Sequence, residues 1–266
     1  MCRFLAYNGP STLMQDYLFD PSYSLVNQSK RARMSHEPVN GDGFGLGWYP
    51  EHDDKIPGAF VSIEPAWSNR NLREIAAKIP TRHFFAHVRD ATPGMPVSQA
   101  NCHPFKSEQW LWMHNGYLSE FATCRRLLLS SLSDEAFQFI KGNTDSEHVF
   151  ALFLDQMRQQ AGSCSDDILV ALTTTIERLN DIRQEAGCTA EAHLNFALTN
   201  GHISLYSRLA IQSEEAPPSL HYRENNGSLV VASEPLSEDG DWQQVEHGQV
   251  LIKEEGKSLQ VRELAL

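Results

Sequence analysis

The second residue of the chain is a cysteine, in the opening stretch MCRFLAYNGP. A methionine ahead of so small a residue can be trimmed, which would leave Cys2 with a free α-amine. An α-amino group has a pKa of about 7.7–8.0 and a thiol about 8.5, so moving the proton from thiol to amine costs under about 1 kcal/mol. An N-terminal cysteine therefore carries its own general base, the logic known for N-terminal threonine. With methionine attached, the same nitrogen is an amide and has no basicity. Taken alone, a cysteine at this position is also what chance places in many chains.

Four other stretches carry residue types that can do chemistry. FFAHVRDATPG puts Arg89 at the end of a candidate strand. There it is either a surface charge or a guanidinium fork able to hold a carboxylate bidentately. MHNGYL contains Asn115 and Gly116. Asn-Gly reads first as a hairpin turn. It can also offer a side-chain amide and a following backbone N–H as two converging donors, as in an oxyanion hole. NTDSEHVF is first a helix start, with Asp145 placed to suit the helix dipole. NCHPF holds Cys102 beside His103, but neighbours on an extended chain point to opposite faces, so the pair reads as packing, not as nucleophile and base. The histidines show no ligand spacing such as H-E-x-x-H, and no metal is expected.

Elements must position these groups. CRFLAY, GFGLGWY, HFFAHVR, QWLWMH, LNFALTN, ISLYSR, LVVAS, GQVLIKE and LQVREL read as strands, rich in aromatic and β-branched residues and bounded by turn residues. In NGDGFGLGWYP the glycines at 41, 43, 45 and 47 are spaced by two, which does not fit a dinucleotide-binding fingerprint. Alternate glycines on a strand mean that another backbone or a ligand comes close to that face. Helices cluster in the middle. NLREIAAKI starts with Asn-x-x-Glu, SEFATCRRLLLSSL follows, and TDSEHVFALFLDQM opens with a Thr-x-x-Glu capping box. DDILVALTTTIERLNDIRQEAG carries Ile168, Leu169, Leu172, Ile176 and Leu179 on one face, with Gly187 as its stop. Strands, then helices, then strands predict an α+β fold with antiparallel sheets under a helical layer. No repeat, low-complexity tract or convincing linker breaks the chain, so residues 1–266 are expected to form one domain.

Composition narrows the partners. The chain has 266 residues, 41% hydrophobic, with a net charge of −12. An acidic surface argues against nucleic acid, which needs a basic patch to displace counterions; the one basic run, Lys30–Arg33, suits a solvated face. No stretch has the roughly 18–20 apolar residues of a membrane helix, and no signal peptide opens the chain, so the cytoplasm is the expected compartment. Five widely spaced cysteines without C-x-x-C fit reduced thiols.

In combination the motifs say more. MCRFLAY, DGFGLGWY, AHVRDAT, NCHPF, HNG and TDSE, in this order over about the first 150 residues, resemble the class II glutamine amidotransferases, which are N-terminal-nucleophile hydrolases. NFALTNG and VVASEPL look most like the stand-alone branch, which includes the ergothioneine-pathway γ-glutamyl hydrolase and the glutathione-degrading yeast subunit. The resemblance implies a four-layer αββα sandwich, two antiparallel sheets between helical layers, with the cysteine at the start of a central strand. It implies Cys2 as nucleophile, Asn115 and Gly116 as oxyanion hole, Arg89 and Thr92 as the grip on the substrate α-carboxylate, and Asp145 as acceptor for the α-ammonium. His103 matches a family histidine with a supporting role. Where the sugar-phosphate branch has a histidine after Arg-x-Ala-Thr, this chain has Pro93, which argues against that activity. No synthetase domain is expected beyond the glutaminase domain.

The expected activity is thus hydrolysis of the side-chain amide of glutamine or a γ-glutamyl compound through a Cys2 thioester, with a small-molecule substrate and no cofactor. A glutaminase subunit feeding ammonia to a separate synthetase, and a choloylglycine-type amide hydrolase, are the alternatives; a synthetase or hydrolase partner subunit stays open.

Overall fold

The computed structural model describes residues 2–35, 38–51, 55–91 and 95–264. The chain runs β1 (Arg3–Leu13), α1 (Gln15–Leu18), α2 (Leu25–Lys30), β2 (Phe44–Trp48), β3 (Gly58–Ser62), α3 (Arg70–Lys78), β4 (Pro80–Val88), β5 (Phe105–Ser107) and β6 (Trp110–Leu118). Four helices follow: α4 (Phe121–Ser130), α5 (Asp134–Phe139), α6 (Asp145–Arg158) and α7 (Ser165–Glu185). The rest is β7 (Ala192–Thr199), β8 (Ile203–Arg208), β9 (Ala210–Ile211), β10 (His221–Asn225), β11 (Ser228–Ala232), β12 (Gln243–Gln244), β13 (Gln249–Glu254) and β14 (Gln260–Glu263).

Two sheets result, of order β12-β10-β11-β1-β4-β2-β3 and β14-β13-β8-β7-β6-β5, with β9 beside β7. The pairs that flank the site are antiparallel: β1 with β4 and β11, β2 with β4, and β6 with β7. Side chains alternate across a strand, and that alternation builds the layers. In the first sheet Leu5, Tyr7, Phe84, Ala86 and Val88 face α1, α2 and α3. In the second, Trp112, Leu194, Phe196, Leu198, Val250 and Ile252 face α4, α6 and α7. The other parity, with Phe4, Ala6, Phe85, Leu111, Met113, Ala197 and Leu251, fills the space between the sheets. The order is therefore helix, sheet, sheet, helix. Each buried Leu or Phe contributes about 1.5–3 kcal/mol by leaving water.

The alternate glycines of β2 do what their spacing requires. A side chain at Gly45 would run into the His103 carbonyl, and one at Gly47 into Leu111 and Pro104, both 2.8 Å from its first carbon. The first sheet is thus bare along β2 so that the 103–104 segment of the second can lie against it. Helix ends follow their chemistry. Thr144 caps α6 through Oγ1, which accepts the Glu147 amide at 3.2 Å. The Glu147 carboxylate does not close the expected box; it takes the amides of Lys141 and Gly142 at 2.8 and 2.7 Å, fixing the turn before the helix. The cap of α3 is Asn69, two residues earlier than the expected Asn71, because its Oδ1 accepts the Leu72 amide at 2.8 Å. Gly187 sits at φ +80° and ends the chain turn after α7. On that helix Ile168, Leu172, Ile176 and Leu179 are buried and Leu169 is partly covered. No helix among the described residues is long and apolar enough to cross a membrane.

Candidate active site

Strand parity gathers the candidate residues. Cys2 shares the parity of Phe4 and Ala6, Arg89 that of Phe85, and Asn115 that of Leu111 and Met113. All three are thereby directed to the edge of the space between the sheets. The register agrees: Arg3 pairs with Val88, so Cys2 lies level with Arg89 at the same end of β1 and β4.

Cys2 is half-buried, and its sulfur touches both sides of one peptide. It accepts the Asp90 amide at 3.4 Å and lies 3.5 Å from the Asp90 carbonyl. Burial pushes the thiol up, opposed by that amide and the Arg89 guanidinium, while the Asp90 carboxylate adds to the rise. Activation thus requires a base and a favourable partner for the thiolate.

Arg89 is 3% exposed. Its backbone is held by the Gly43 carbonyl at 2.8 Å and by the Asp42 amide at 3.0 Å. Asp42 Oδ2 accepts the Ala91 amide at 2.8 Å, which fixes the chain leaving β4. The guanidinium makes one long bond, from Nη2 to the Pro96 carbonyl at 3.4 Å, and Nη1 is buried with no partner among the described residues. A buried guanidinium with one side of its fork open is a seat for an anion. Thr92 and Pro93 lie outside the described residues.

Asn115 and Gly116 do not form the hairpin turn that Asn-Gly suggests. Both lie inside β6, opposite Asn195 and Leu194 of β7, because β6 continues to Leu118. Asn115 is fully buried, and its Nδ2 donates to Ser233 Oγ at 3.3 Å. That hydroxyl also accepts the Phe4 amide at 3.0 Å. The amide is thereby indexed against the strand that begins at Cys2. Gly116 has no room for a side chain: its first carbon would meet the His193 carbonyl and, at 2.6 Å, His114 Nε2.

Asp145 enters from the first turn of α6, on the helical side of the second sheet. Its Oδ2 accepts the Leu118 amide at 2.8 Å and Oδ1 the Ser146 amide at 2.7 Å. Ser146 Oγ in turn lies 2.9 Å from His114 Nδ1, next to Asn115 in the chain. Half-buried, Asp145 lines a cavity of about 580 Å³ with Met95, Tyr117, Phe121 and Arg125. It is therefore linked, through Ser146 and His114, to the neighbour of Asn115, and it is partly committed to backbone.

His103 is buried, stacked on His87 with ring centroids 4.2 Å apart, and neither of its ring nitrogens has a partner among the described residues. Cys102 points away, its sulfur 3.5 Å from the carbonyls of Ser62 and Ser98, as opposite faces require. Burial lowers His87 to about 3 and holds His103 well below its ordinary range, with His87, His114 and Arg89 adding to the second effect. His114 is also lowered by burial, against the Asp145 carboxylate. Imidazoles so depressed are weak bases at neutral pH. No group of three or more metal-ligating side chains occurs among the described residues.

Ser233, Asp42, and the pair Arg3 and Glu234 were not singled out by the sequence reading. They lie within the quoted motifs MCRFLAY, DGFGLGWY and VVASEPL, which carry no further signal for them.

The chain matches the family model described as glutamine amidotransferases class-II over residues 1–265. It is 37% identical to the probable glutamine amidotransferase DUG3 of Saccharomyces cerevisiae, over 94% of this chain and 81% of that one. It is 28% identical to the γ-glutamyl-hercynylcysteine sulfoxide hydrolase of Mycolicibacterium smegmatis, over 92% of each. Among solved structures, a glutamine aminotransferase class-II domain protein from Silicibacter pomeroyi superimposes with a TM-score of 0.74 at 27% identity, covering all of both chains.

Proposed function

The chain belongs to the class II glutamine amidotransferases and is an amidohydrolase, and on that premise we propose that Cys2 is the nucleophile that cleaves the side-chain amide of a γ-glutamyl compound. One observation carries the assignment of residues. The Cys2 sulfur sits on the Asp90 peptide, level with a buried Arg89 guanidinium whose Nη1 is open among the described residues. A carboxylate seated on Arg89 brings the far end of a glutamyl chain toward the sulfur.

The α-amine of Cys2, free once Met1 is removed, takes the thiol proton. The thiolate attacks the γ-carbonyl, and the oxyanion is met by the Asn115 side-chain amide and the Gly116 backbone N–H. The tetrahedral intermediate collapses to a thioester as the α-ammonium gives its proton to the leaving nitrogen. Water, deprotonated by the same amine, then attacks the thioester, releases glutamate and returns the thiol. Arg89, with Thr92, holds the α-carboxylate and Asp145 the α-ammonium, which fixes the register of attack. The depressed histidines support the amine as base, since none of them bonds to the sulfur among the described residues.

The domain reading is one unit over residues 1–266, supported by the family match and by the shared space between the sheets. The choloylglycine-type alternative has no use for a paired amino-acid clamp of the kind proposed for Arg89 and Asp145.

The test is release of glutamate and amine from a γ-glutamyl panel by the isolated chain, with intact mass reporting Met1. Turnover by a preparation beginning at Cys2, and its loss in Cys2→Ser, supports the proposal. Full turnover from protein wholly retaining Met1 removes the α-amine from the mechanism. Hydrolysis by the isolated chain also argues against the subunit reading, in which a synthetase partner is required.

A further inference from the structure

Arg3 is the residue next to the nucleophile, and it is fully buried. Parity turns its side chain away from the thiol, to the side of Leu5 and Tyr7. Burying a guanidinium is costly unless it is both paired and hydrogen-bonded, so a fold that only had to fill this space would use an apolar residue. Here Nε donates to Glu234 Oε1 at 3.0 Å, and Nη1 turns back to the carbonyl of Cys2 at 2.9 Å. Glu234 is equally buried, and it is fixed in turn. Its Oε1 accepts the Met34 amide at 3.0 Å and Oε2 the Arg33 amide at 2.9 Å. Its own carbonyl accepts Gln28 Nε2 of α2 at 3.3 Å. The carbonyl of residue 2 is thus tied, through one ion pair, to the end of β11 and to the segment after α2.

We propose that Arg3 and Glu234 are a positioning pair for the nucleophile. Once Met1 is gone, residue 2 has no chain before it, and its main chain is anchored on the carbonyl side alone. The direction of that carbonyl sets the direction of the α-amine and of the thiol on the same α-carbon. The inference rests on the proposed role of the Cys2 α-amine and deepens it.

The pair also acts through charge. The Arg3 cation at the Cys2 carbonyl disfavours an ammonium on the adjacent nitrogen and keeps the amine a free base; Glu234, farther away, opposes it. The other charges facing residue 2 are Arg89 and Asp90 at the end of β4; Asp42, on the turn before β2, is bonded to the Ala91 amide just beyond them. The remaining groups are neutral: the depressed His87 of β4 in the first sheet, and Asn115 with the depressed His103 and His114 from the side of the second. The Cys102 thiol, pushed up to about 11 by burial, is uncharged. Arg33, on the segment after α2, is exposed and lies 3.8 Å from Glu238.

The experiment measures kcat and KM for γ-glutamyl-anilide across pH in Arg3→Gln, Arg3→Lys, Glu234→Gln and Cys2→Ser, counting folded protein by thermal melting and Met1 removal by intact mass. A misaimed attacking group costs about 10²-fold, so Arg3→Gln is expected to lose about that much kcat per folded molecule with KM changed less than about threefold. Arg3→Lys, whose ammonium reaches one acceptor but not both, recovers part of the loss. The acidic limb of kcat/KM moves to higher pH in Arg3→Gln and to lower pH in Glu234→Gln. Unchanged kcat in folded Arg3→Gln, or a limb unmoved in Glu234→Gln, overturns the pair; if Arg3→Gln does not fold, the Glu234→Gln limb decides alone. Full activity in Cys2→Ser sinks the nucleophile reading itself, whereas a dead Cys2→Ser beside indifferent Arg3 and Glu234 variants sinks the pair alone.

Discussion

The Asn115 amide of the second sheet and the Ser233 hydroxyl of the first are joined at 3.3 Å, and the same hydroxyl accepts the Phe4 amide at 3.0 Å. The proposed oxyanion donor is thus held to the strand of the proposed nucleophile by one oxygen. Losing an oxyanion donor costs roughly 2.7–4 kcal/mol in the transition state, so Asn115→Ala is expected to lower kcat about 10²- to 10³-fold with a smaller change in KM. Steady-state kinetics on γ-glutamyl-anilide checks it. A change in KM alone would make Asn115 a strand residue without a role in the chemistry.

Ser233→Ala leaves the Asn115 donor in place but removes what aligns it. A neutral hydrogen bond is worth about 0.5–1.5 kcal/mol net, so kcat should fall by about tenfold or less. In the Asn115→Ala background the same change should cost little, because its route to the oxyanion is already gone. Additive losses in that double-mutant cycle would show that Ser233 acts elsewhere.

Gly45 tests the contact between the sheets. An alanine there would press its methyl into the His103 carbonyl and, at 2.8 Å, into Val61 Cγ1, with backbone on one side unable to swing away. Overpacking of this kind costs about 1–3 kcal/mol. Urea unfolding of Gly45→Ala should report that loss, whereas Gly240→Ala, with nothing within 4 Å of the added carbon, should be close to neutral.

Each strand named from the sequence is present, because alternation is a local signal and both faces of these sheets are buried. What escaped was mostly short or polar; the exception is the five-residue, largely apolar β3, GAFVS, an edge strand that pairs only with β2. β5 has three residues, and β10 reads HYREN, whose charged end lies on a hairpin. Asn115-Gly116 misled for a physical reason: the turn preference of the dipeptide is local, and the ladder between β6 and β7 overrides it. The candidate site was legible where residue type and strand parity alone bring side chains to one end of the sheets, as with Cys2, Arg89 and Asn115. It was opaque where a side chain is held by a distant partner. Arg3 and Glu234 are 231 residues apart, and nothing local to either announces the other.

Acid should weaken the fold through the histidines between the sheets. Burial lowers His83 to about 4 and His87 to about 3, from an ordinary 6.5. Below that ordinary value the unfolded chain binds protons that the folded chain refuses, so stability is present near neutral pH and declines as pH falls from 6.5 toward the folded values. Each such group adds a slope approaching about 1.4 kcal/mol per pH unit. Urea midpoints at several pH values should show the decline, and His83→Gln should remove one group's share of the slope. An unchanged slope in that variant would mean that His83 titrates normally in the folded state.

Arg89 and Asp145 give the sharpest test, because the structure makes them unequal. Arg89 Nη1 has no partner among the described residues, whereas Asp145 already accepts the Leu118 and Ser146 amides. Arg89→Lys keeps the charge but loses the planar fork, so γ-glutamyl-anilide turnover should still fall markedly, with little change in the melting temperature. Asp145→Asn should do two things. It should cost stability, since an amide replaces a carboxylate that caps two backbone donors, and it should weaken recognition of the substrate ammonium. Substrate chemistry separates the two effects. γ-Glutamyl-anilide offers Asp145 an ammonium and its N-acetyl form does not, so the wild type should prefer the first strongly in kcat/KM. In Asp145→Asn the preference should shrink, whatever the variant's stability. If the wild type hydrolysed both substrates equally, Asp145 would be a helix-start residue only. The amino-acid clamp would then be wrong, and a choloylglycine-type hydrolase that reads the acyl chain would be the better account.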